Sequence, residues 1–259
     1  MRIARYTTGG DPAFAVVEGE PGQQVLAAVH GDPLYQDIVF TGERIDLEDA
    51  RLLAPVIPRS KIVAIGRNYA DHAAETGSDV PEEPLMFLKP NTAIVGPGDP
   101  VVLPPQSEQV DYEGELAVVI GRLCKDVPED KVADVVYGYT CANDVTARDL
   151  QRKDGQWTRA KGFDTFCPVG PWIQTELDVT DLAIATRLDG QTVQQSRTSL
   201  LVHPVAKLVA YVSAMMTLLP GDLLLTGTPA GIGPVTQGQR VDVEIEGIGV
   251  LSNPFVTRG

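Results

Sequence analysis

The sequence predicts an α+β fold that is mainly β, and three observations support that prediction. Segments with strand-like patterns outnumber segments with helical periodicity along the 259 residues. The strands do not alternate regularly with helices, which argues against a doubly wound parallel sheet. Hydrophobic residues make up 43% of the chain, which is enough to fill a folded core.

Residues 1–57 are interpreted as a small N-terminal β domain. The segments RIARYTT, AFAVVEG and QQVLAAVHG are strand-like, and Gly, Pro and Asp separate them. The segment LLAPVIPRS follows; it carries two prolines and is typical of a linker. We therefore expect residues 58–259 to form a second, larger domain.

The larger domain begins with a short apolar strand, KIVAIGRNY, that ends at Gly66. YADHAAETG follows with helix-forming residues, and strands with Pro-rich connections extend to about residue 180. HPVAKLVAYVSAMMTLLPGD has apolar residues at helical spacing and predicts a helix that stops at Pro220 and Gly221. LLLTGTPAGIG predicts a strand that enters a glycine-rich turn, and RVDVEIEGIGVLSNPFV alternates as strands to the end.

Charge and cysteine content argue against several classes of function. Acidic residues outnumber basic ones by 35 to 21, so the net charge of −14 would repel nucleic-acid phosphates and anionic membranes. The three cysteines form no Cys-x-x-Cys pair, which fits free thiols in a reducing compartment. No secretory signal and no run long enough to span a bilayer is evident. We expect a cytoplasmic protein with neither a nucleic-acid nor a membrane partner.

The segment VDYEGELAVVIG, residues 110–121, places acidic side chains at the start of a strand that is apolar on both faces. Side chains alternate along a strand, so Glu113 and Glu115 share one face and Gly114 leaves room on the other. Two buried like charges repel each other and both lose hydration. A divalent cation would remove both problems.

Asp144 offers a third carboxylate at the end of another apolar strand, in YGYTCANDVTARD. Three hard oxygen ligands favour Mg²⁺ or Mn²⁺, and the cluster lacks the Cys and His residues that zinc prefers. The alternative is an exposed strand edge on an acidic protein, because Glu-x-Glu is a common pattern.

Six motifs occur in order along the chain: GRNYADHAAETG, FLKPNTAIVGPGD, YEGELAVVIG, NDVTARDLQ, QWTRAKGFDTFCPVGPWI and LLLTGTPAGIGPV. Together they make the chain from about residue 58 onwards resemble the fumarylacetoacetate hydrolase family, and the preceding region resembles the small N-terminal domain of its bacterial members. The resemblance implies that family's mixed β-sandwich and β-roll core. It also implies that Glu113, Glu115 and Asp144 hold Mg²⁺ or Mn²⁺.

The resemblance implies roles for further polar residues. His72 and Glu75 are three residues apart and share a helix face, and in related acylpyruvases such a pair on a mobile lid activates a water. Lys161 would neutralise an enolate or oxyanion, with Asp164 supporting it. The residues expected near the water, the cation or the substrate are Arg67, Lys89, Arg148, Gln151 and Thr228.

Simpler interpretations of these residues stay open. The His–Glu pair could be an ordinary solvated helix face, and Arg148 could form a structural salt bridge. The turn at Thr228 could need glycine for its shape alone. Arg67 and Lys89 could simply lie on the surface.

The resemblance implies a C–C bond hydrolase that cleaves a small acylpyruvate-like 2,4-dioxo acid through a metal-stabilised enolate. The same site could instead decarboxylate oxaloacetate, or isomerise or decarboxylate 2-hydroxyhepta-2,4-diene-1,7-dioate in aromatic catabolism. An alternative of another class is a non-catalytic, metal-stabilised protein that binds anions, although such a protein would have no use for His72, Glu75 and Lys161 together. Family members usually pair, so we expect a homodimer.

Overall fold

The computed structural model describes residues 1–257. The strands in that range are β1 (Arg2–Thr7), β2 (Ala13–Glu18), β3 (Val25–Val29), β4 (Phe40–Asp46), β5 (Arg51–Leu53), β6 (Ile62–Gly66), β7 (Leu85–Lys89), β8 (Ile94–Val95), β9 (Val101–Leu103), β10 (Val110–Tyr112), β11 (Gly114–Ile120), β12 (Val136–Asn143), β13 (Thr146–Ala147), β14 (Cys167–Gln174), β15 (Ala183–Leu188), β16 (Gln191–Arg197), β17 (Leu223–Leu225), β18 (Gly233–Pro234), β19 (Arg240–Ile245) and β20 (Gly249–Thr257). The α-helices are α1 (Ala70–Glu75), α2 (Arg148–Asp154), α3 (Thr158–Lys161) and α4 (Val205–Met215). Short 3₁₀ helices span Leu47–Asp49, Asn91–Ala93, Glu129–Asp134 and Thr198–Leu200.

Twelve strands join in one large sheet, and the prediction of a mainly β fold is confirmed. The sheet order is β4-β3-β2-β1-β14-β12-β11-β17-β6-β7, while β5 pairs with β1 and β8 pairs with β14. Because β1 pairs with β14, the N-terminal strands continue the sheet of the rest of the chain. The division after residue 57 therefore remains a prediction about folding units, since no gap in the sheet marks it.

Two smaller sheets complete the fold, one with the order β16-β15-β19-β20-β9 and one with the order β13-β10-β18. Strand β11, inside the large sheet, is buried along its whole length. Leu116 and Val118 belong to an apolar cluster shared with α4 and the five-stranded sheet, whereas Ala117 and Val119 belong to the cluster on the opposite face. Burial on both faces explains why the strand is apolar throughout.

Helix α4 is shorter than its sequence pattern predicts, because it ends at Met215 and not at Pro220. Leu218 and Cys124 exchange backbone hydrogen bonds of 2.9 and 3.0 Å, so the chain after the helix is already extended. Tertiary pairing thus outweighs the apolar periodicity there. Within residues 1–257, no helix has the length and apolar character needed to cross a bilayer.

Gly114 lies where β11 packs closely against the five-stranded sheet. A Cβ atom added to Gly114 would lie 2.1 Å from the Thr186 hydroxyl and 3.3 Å from a methyl group of Val243. We expect Gly114→Ala to lower the free energy of unfolding by about 1–3 kcal/mol, the usual effect of overpacking. Urea unfolding measures this, with Gly10→Ala as the control because a Cβ at Gly10 has nothing within 4 Å. Equal stability of the two variants would contradict the expectation.

Candidate active site

A cavity of about 460 Å³ opens where β6, α1, β11, α2 and the turn after β17 meet. Ten of the predicted site residues line it: Arg67, His72, Glu75, Glu113, Glu115, Asp144, Arg148, Gln151, Lys161 and Thr228. These residues come from segments far apart in the sequence, and the fold brings them onto one surface.

Three carboxylates form the floor of this cavity. The side chains of Glu113, Glu115 and Asp144 are buried and offer oxygen atoms that all lie within 4.8 Å of one another. Glu113 occupies the break between β10 and β11, where its N–H donates to Asn143 Oδ1 (2.9 Å) and its carbonyl accepts from the N–H of Asp144 (2.9 Å). One backbone bond and one bond to the Asn143 side chain therefore hold together the two segments that carry the cluster.

Three buried cations surround the carboxylates. Lys161 Nζ donates to Glu113 Oε2 (2.7 Å) and to Asp144 Oδ2 (2.6 Å). Lys89 Nζ donates to Asp144 Oδ1 (2.5 Å), and Arg148 donates to Glu113 Oε1. Within residues 1–257, no Lys or Arg side chain hydrogen-bonds to Glu115, and the one donor to its Oε2 is the N–H of Gly227 (2.7 Å).

The pKa values of the cluster follow from this unequal pairing. Burial would raise the pKa of Glu113, but the charges of Lys161 and Arg148 outweigh it and hold that pKa below its usual value. Burial and the neighbouring Asp144 and Glu113 carboxylates raise the pKa of Glu115 well above its usual value. Glu115 therefore needs either a proton or a cation beside it.

The cluster fits a small divalent cation. Two oxygens bound to one Mg²⁺ at about 2.1 Å lie at most about 4.2 Å apart, close to the spread of these ligand atoms. Carboxylate oxygens that already accept one hydrogen bond keep a second lone pair for a metal. Of the three, Glu115 has the greatest need of such an ion, because no Lys or Arg side chain within residues 1–257 pairs with it directly and its pKa stays raised despite the nearby charge of Lys161.

His72 and Glu75 form a hydrogen-bonded pair on α1. His72 Nδ1 lies 3.3 Å from Glu75 Oε2, and the imidazole is buried while Glu75 is partly exposed. Glu75 Oε1 accepts the N–H of Gly231 (3.0 Å). A carboxylate on Nδ1 favours the tautomer that leaves Nε2 free to accept a proton.

The turn after β17 contacts both the carboxylate cluster and the His72–Glu75 pair. Gly227 bonds Glu115, and Gly231 bonds Glu75, each through its backbone N–H. Both glycines have φ of +100°, and a Cβ at Gly231 would lie 2.1 Å from the Val193 carbonyl oxygen, so the turn requires glycine there.

The Thr228 hydroxyl lines the cavity but is already engaged. It donates to the Gly114 carbonyl (2.9 Å) and accepts from Gln194 Nε2 (2.9 Å). In this structure the proton of the hydroxyl is used inside the protein, and the expected contact between Thr228 and a substrate stays a prediction. Arg67, with a φ of +58°, places its guanidinium 6.0 Å from the ring centroid of Trp157, which also lines the cavity.

Two predicted residues lie outside the cavity. Lys89 is buried behind the cluster, where it donates hydrogen bonds to Asp144 and to the Val145 carbonyl (3.3 Å), so it is not a surface residue and does not line the cavity. Asp164 is exposed and lines a different pocket, and within residues 1–257 no hydrogen bond joins it to Lys161. The carboxylates of Glu113 and Asp144 support Lys161 instead.

Arg148 matches both interpretations of its role, since it lines the cavity and also forms buried ion pairs with Asp111 and Glu113. It also donates to Gln151 Oε1 (2.6 Å). The sequence reasoning missed Asp111, although it precedes Glu113 by two residues and therefore shares the acidic face of the segment. Gln109 and Arg152 also line the cavity, and no pattern in the sequence indicated them.

Comparison with known proteins defines the class to which the chain belongs. The family model described as fumarylacetoacetate (FAA) hydrolase C-terminal matches residues 61–256, and the model described as Rv2993c-like, N-terminal matches residues 1–55. The chain is a member of the fumarylacetoacetate hydrolase family of enzymes, as its six motifs had indicated.

Two relatives are similar to this chain over most of its length. Protein Rv2993c of Mycobacterium tuberculosis is 52% identical over 264 residues, covering 100% of this chain and 99% of the relative. The mitochondrial oxaloacetate tautomerase Fahd2a of Rattus norvegicus is 46% identical over 215 residues, covering 79% of this chain and 69% of the relative.

Two solved structures have the same fold. The 5-carboxymethyl-2-hydroxymuconate delta-isomerase of Mycobacterium smegmatis superposes with a TM-score of 0.93 at 52% identity over the whole of both chains. The fumarylpyruvate hydrolase of Pseudomonas aeruginosa, in complex with Mn²⁺ and pyruvate, gives a TM-score of 0.74 at 36% identity and covers 80% of this chain and 92% of that one. The relatives thus include an isomerase, a tautomerase and a hydrolase.

Proposed function

We propose that this protein is a divalent-metal-dependent hydrolase that cleaves the C3–C4 bond of a small acylpyruvate-like 2,4-dioxo acid. The observation that carries the proposal is the presence of the His72–Glu75 pair and the Glu113, Glu115 and Asp144 carboxylates on one cavity. A base and a cation site facing one small space can act on the same molecule.

Glu113, Glu115 and Asp144 would hold Mg²⁺ or Mn²⁺. The fumarylpyruvate hydrolase with Mn²⁺ and pyruvate supports this assignment, because its fold is the same and its bound ligand is a small 2-oxo acid. When bound, such a cation supplies Lewis-acid polarisation to the oxygen atoms of the substrate.

His72 would act as the base that activates the attacking water. Glu75 keeps the proton of the imidazole on Nδ1, so Nε2 accepts a proton from water as the oxygen attacks C4. The C3–C4 bond then breaks, the acyl group leaves as a carboxylic acid, and C3 takes up a proton to give pyruvate.

Lys161 would stabilise the negative charge that develops on the substrate. An ammonium group has three donors, and Lys161 uses two of them on Glu113 and Asp144, which leaves one for a substrate oxygen. Its attachment to the cluster fixes where that donor lies, so little reorganisation is needed during the reaction.

Arg67 would bind an anionic group of the substrate. It lines the cavity, and within residues 1–257 no carboxylate pairs with its guanidinium. A guanidinium recognises a carboxylate through two parallel hydrogen bonds, which would also orient the 2-oxo acid.

A second candidate is proton transfer without bond cleavage, which would make the protein an oxaloacetate tautomerase. Its support is the 46% identity to the rat oxaloacetate tautomerase, and His72 could serve as the base in that reaction too. Decarboxylation of oxaloacetate differs from both, because CO₂ leaves from C4 and no water has to be activated.

A homodimer also stays a proposal, which light scattering would test.

The deciding experiment uses metal-stripped protein with and without Mg²⁺ or Mn²⁺. Acetylpyruvate, oxaloacetate and a 2-hydroxydienedioate are followed in parallel by NMR, and the enol of oxaloacetate is followed by its absorbance. Metal-dependent release of acetate and pyruvate from acetylpyruvate supports the hydrolase. Faster loss of the oxaloacetate enol alone supports the tautomerase, and pyruvate with CO₂ supports the decarboxylase. Turnover of none would overturn the enzyme proposals and favour an anion-binding protein.

A further inference from the structure

A second cavity, of about 230 Å³, lies where the N-terminal strands meet the linker and the large sheet. Its walls come from β1, β2, the loop after β3, the segment after β5, and strands β12 and β14. It shares no lining residue with the main cavity. Any ligand bound here would therefore leave the candidate active site free.

The charged groups of this cavity favour an anion. Arg5, Arg59 and Asp32 line it and together carry one net positive charge, in a chain whose net charge is −14. Within residues 1–257, neither guanidinium makes a hydrogen bond or a close ion pair with a protein group. Arg5 is half-buried; burial lowers its pKa and the charge of Asp32 opposes that shift. Arg5 has thus lost part of its hydration without gaining a direct carboxylate partner.

The remaining walls favour a flat apolar body. Phe14, Tyr35 and Tyr137 line the cavity together with aliphatic side chains. The Arg59 guanidinium lies 4.3 Å from the Tyr35 ring centroid, which holds it at the wall. The Tyr137 hydroxyl has no hydrogen-bond partner among the described residues, so it is free to bond a ligand.

The size and the charge of the cavity set the class of ligand. At about 30 Å³ per water, its volume corresponds to about seven or eight water molecules, which is room for one aromatic ring with a small substituent. One net positive charge matches a monoanion, whereas Asp32 disfavours a dianion such as phosphate.

We propose that this cavity binds a small aromatic monocarboxylate. Its carboxylate accepts hydrogen bonds from Arg5, with Arg59 adding positive charge, and its ring packs among Phe14, Tyr35 and Tyr137. An Arg–carboxylate pair is bidentate and strongly oriented, so the charge fixes the ligand while the aromatic walls select its body.

The test is a ¹⁹F NMR titration of the full-length, Mg²⁺-saturated protein with 4-fluorobenzoate. We expect binding to wild type, and binding at least tenfold weaker for Arg5→Met. Arg59→Met should also weaken binding, and this exposed position keeps the test valid if Arg5→Met does not fold. Arg122→Met is the matched control, because Arg122 is exposed and lies outside the cavity, and it should bind as wild type does.

Three further probes separate the causes of binding. The neutral analogue 4-fluorobenzamide should bind at least tenfold more weakly than 4-fluorobenzoate, and acetate and inorganic phosphate should not displace the probe at equal concentration. Equal binding of the amide, or displacement by phosphate, would overturn the aromatic-carboxylate assignment. Absence of binding to wild type, or binding that both Arg5→Met and Arg59→Met leave unchanged, would overturn the site itself. The titration does not depend on turnover, so its result is independent of the proposed catalytic function.

Discussion

Replacing Glu115 with Gln should abolish tight divalent-metal binding and lower metal-dependent turnover by about 10²–10⁴-fold, since a Lewis-acid metal contributes several kcal/mol to catalysis. The amide keeps the shape of the side chain but removes the charge that a cation requires. Glu115 is the informative position because, unlike Glu113 and Asp144, it pairs with no Lys or Arg in the described part of the chain. Isothermal titration with Mn²⁺ measures the affinity.

The same variant should change stability in opposite directions with and without metal. In metal-free protein, burial and the nearby carboxylates disfavour the ionised form of Glu115, so the neutral amide should leave the melting temperature unchanged or raise it. With metal at about 100 times its Kd, wild type should gain about 2.7 kcal/mol of stability and Glu115→Gln should gain almost none. Glu20→Gln, an exposed change outside both cavities, is the control. Wild-type Mn²⁺ affinity in Glu115→Gln would refute the role assigned to this residue.

Replacing His72 with Asn should lower kcat for acylpyruvate hydrolysis by about 10²–10⁴-fold, the usual contribution of a general base. Metal affinity should not change, because His72 is not one of the three residues proposed to bind the metal. Glu75→Gln should lower kcat less, since it removes the charge that sets the imidazole tautomer but leaves the base in place. Rates are measured at saturating Mg²⁺ by the release of pyruvate.

Asp71→Asn is the matched control for His72, because Asp71 is an exposed neighbour on the same helix. It should keep wild-type kcat. A His72→Asn variant that hydrolysed acetylpyruvate at the wild-type rate would refute the assignment of His72 as the base that activates water.

The sequence predicted the buried strands well and the polar ones poorly. β1, β2, β3, β6 and β17 were anticipated because their apolar residues are bounded by turn residues. β4, with the sequence FTGERID, was missed because it is almost entirely exposed and has no apolar alternation. Backbone pairing with β3 makes it a strand, and that pairing leaves no signal in its own residues.

Residues of the candidate site could be predicted where the periodicity of a single strand or helix places them on the same face. Glu113 and Glu115 share a strand face, and His72 and Glu75 share a helix face, so spacing alone paired them. Lys89 was misplaced because its partner Asp144 is 55 residues away, and only the fold brings the two together. The contacts of the Thr228 hydroxyl with Gly114 and Gln194 could not be predicted for the same reason, since these partners lie on other strands.

The turn from Gly227 to Gly231 connects the proposed base pair, His72 and Glu75, to the candidate cation site. One end of the turn is hydrogen-bonded to Glu115 and the other to Glu75, so five residues of backbone join the two proposed parts of the site. A change in the length of this turn is therefore expected to displace Glu115 and Glu75 together. Variation in substrate range is therefore expected to arise at other cavity-lining side chains such as Trp157, which is not part of this turn.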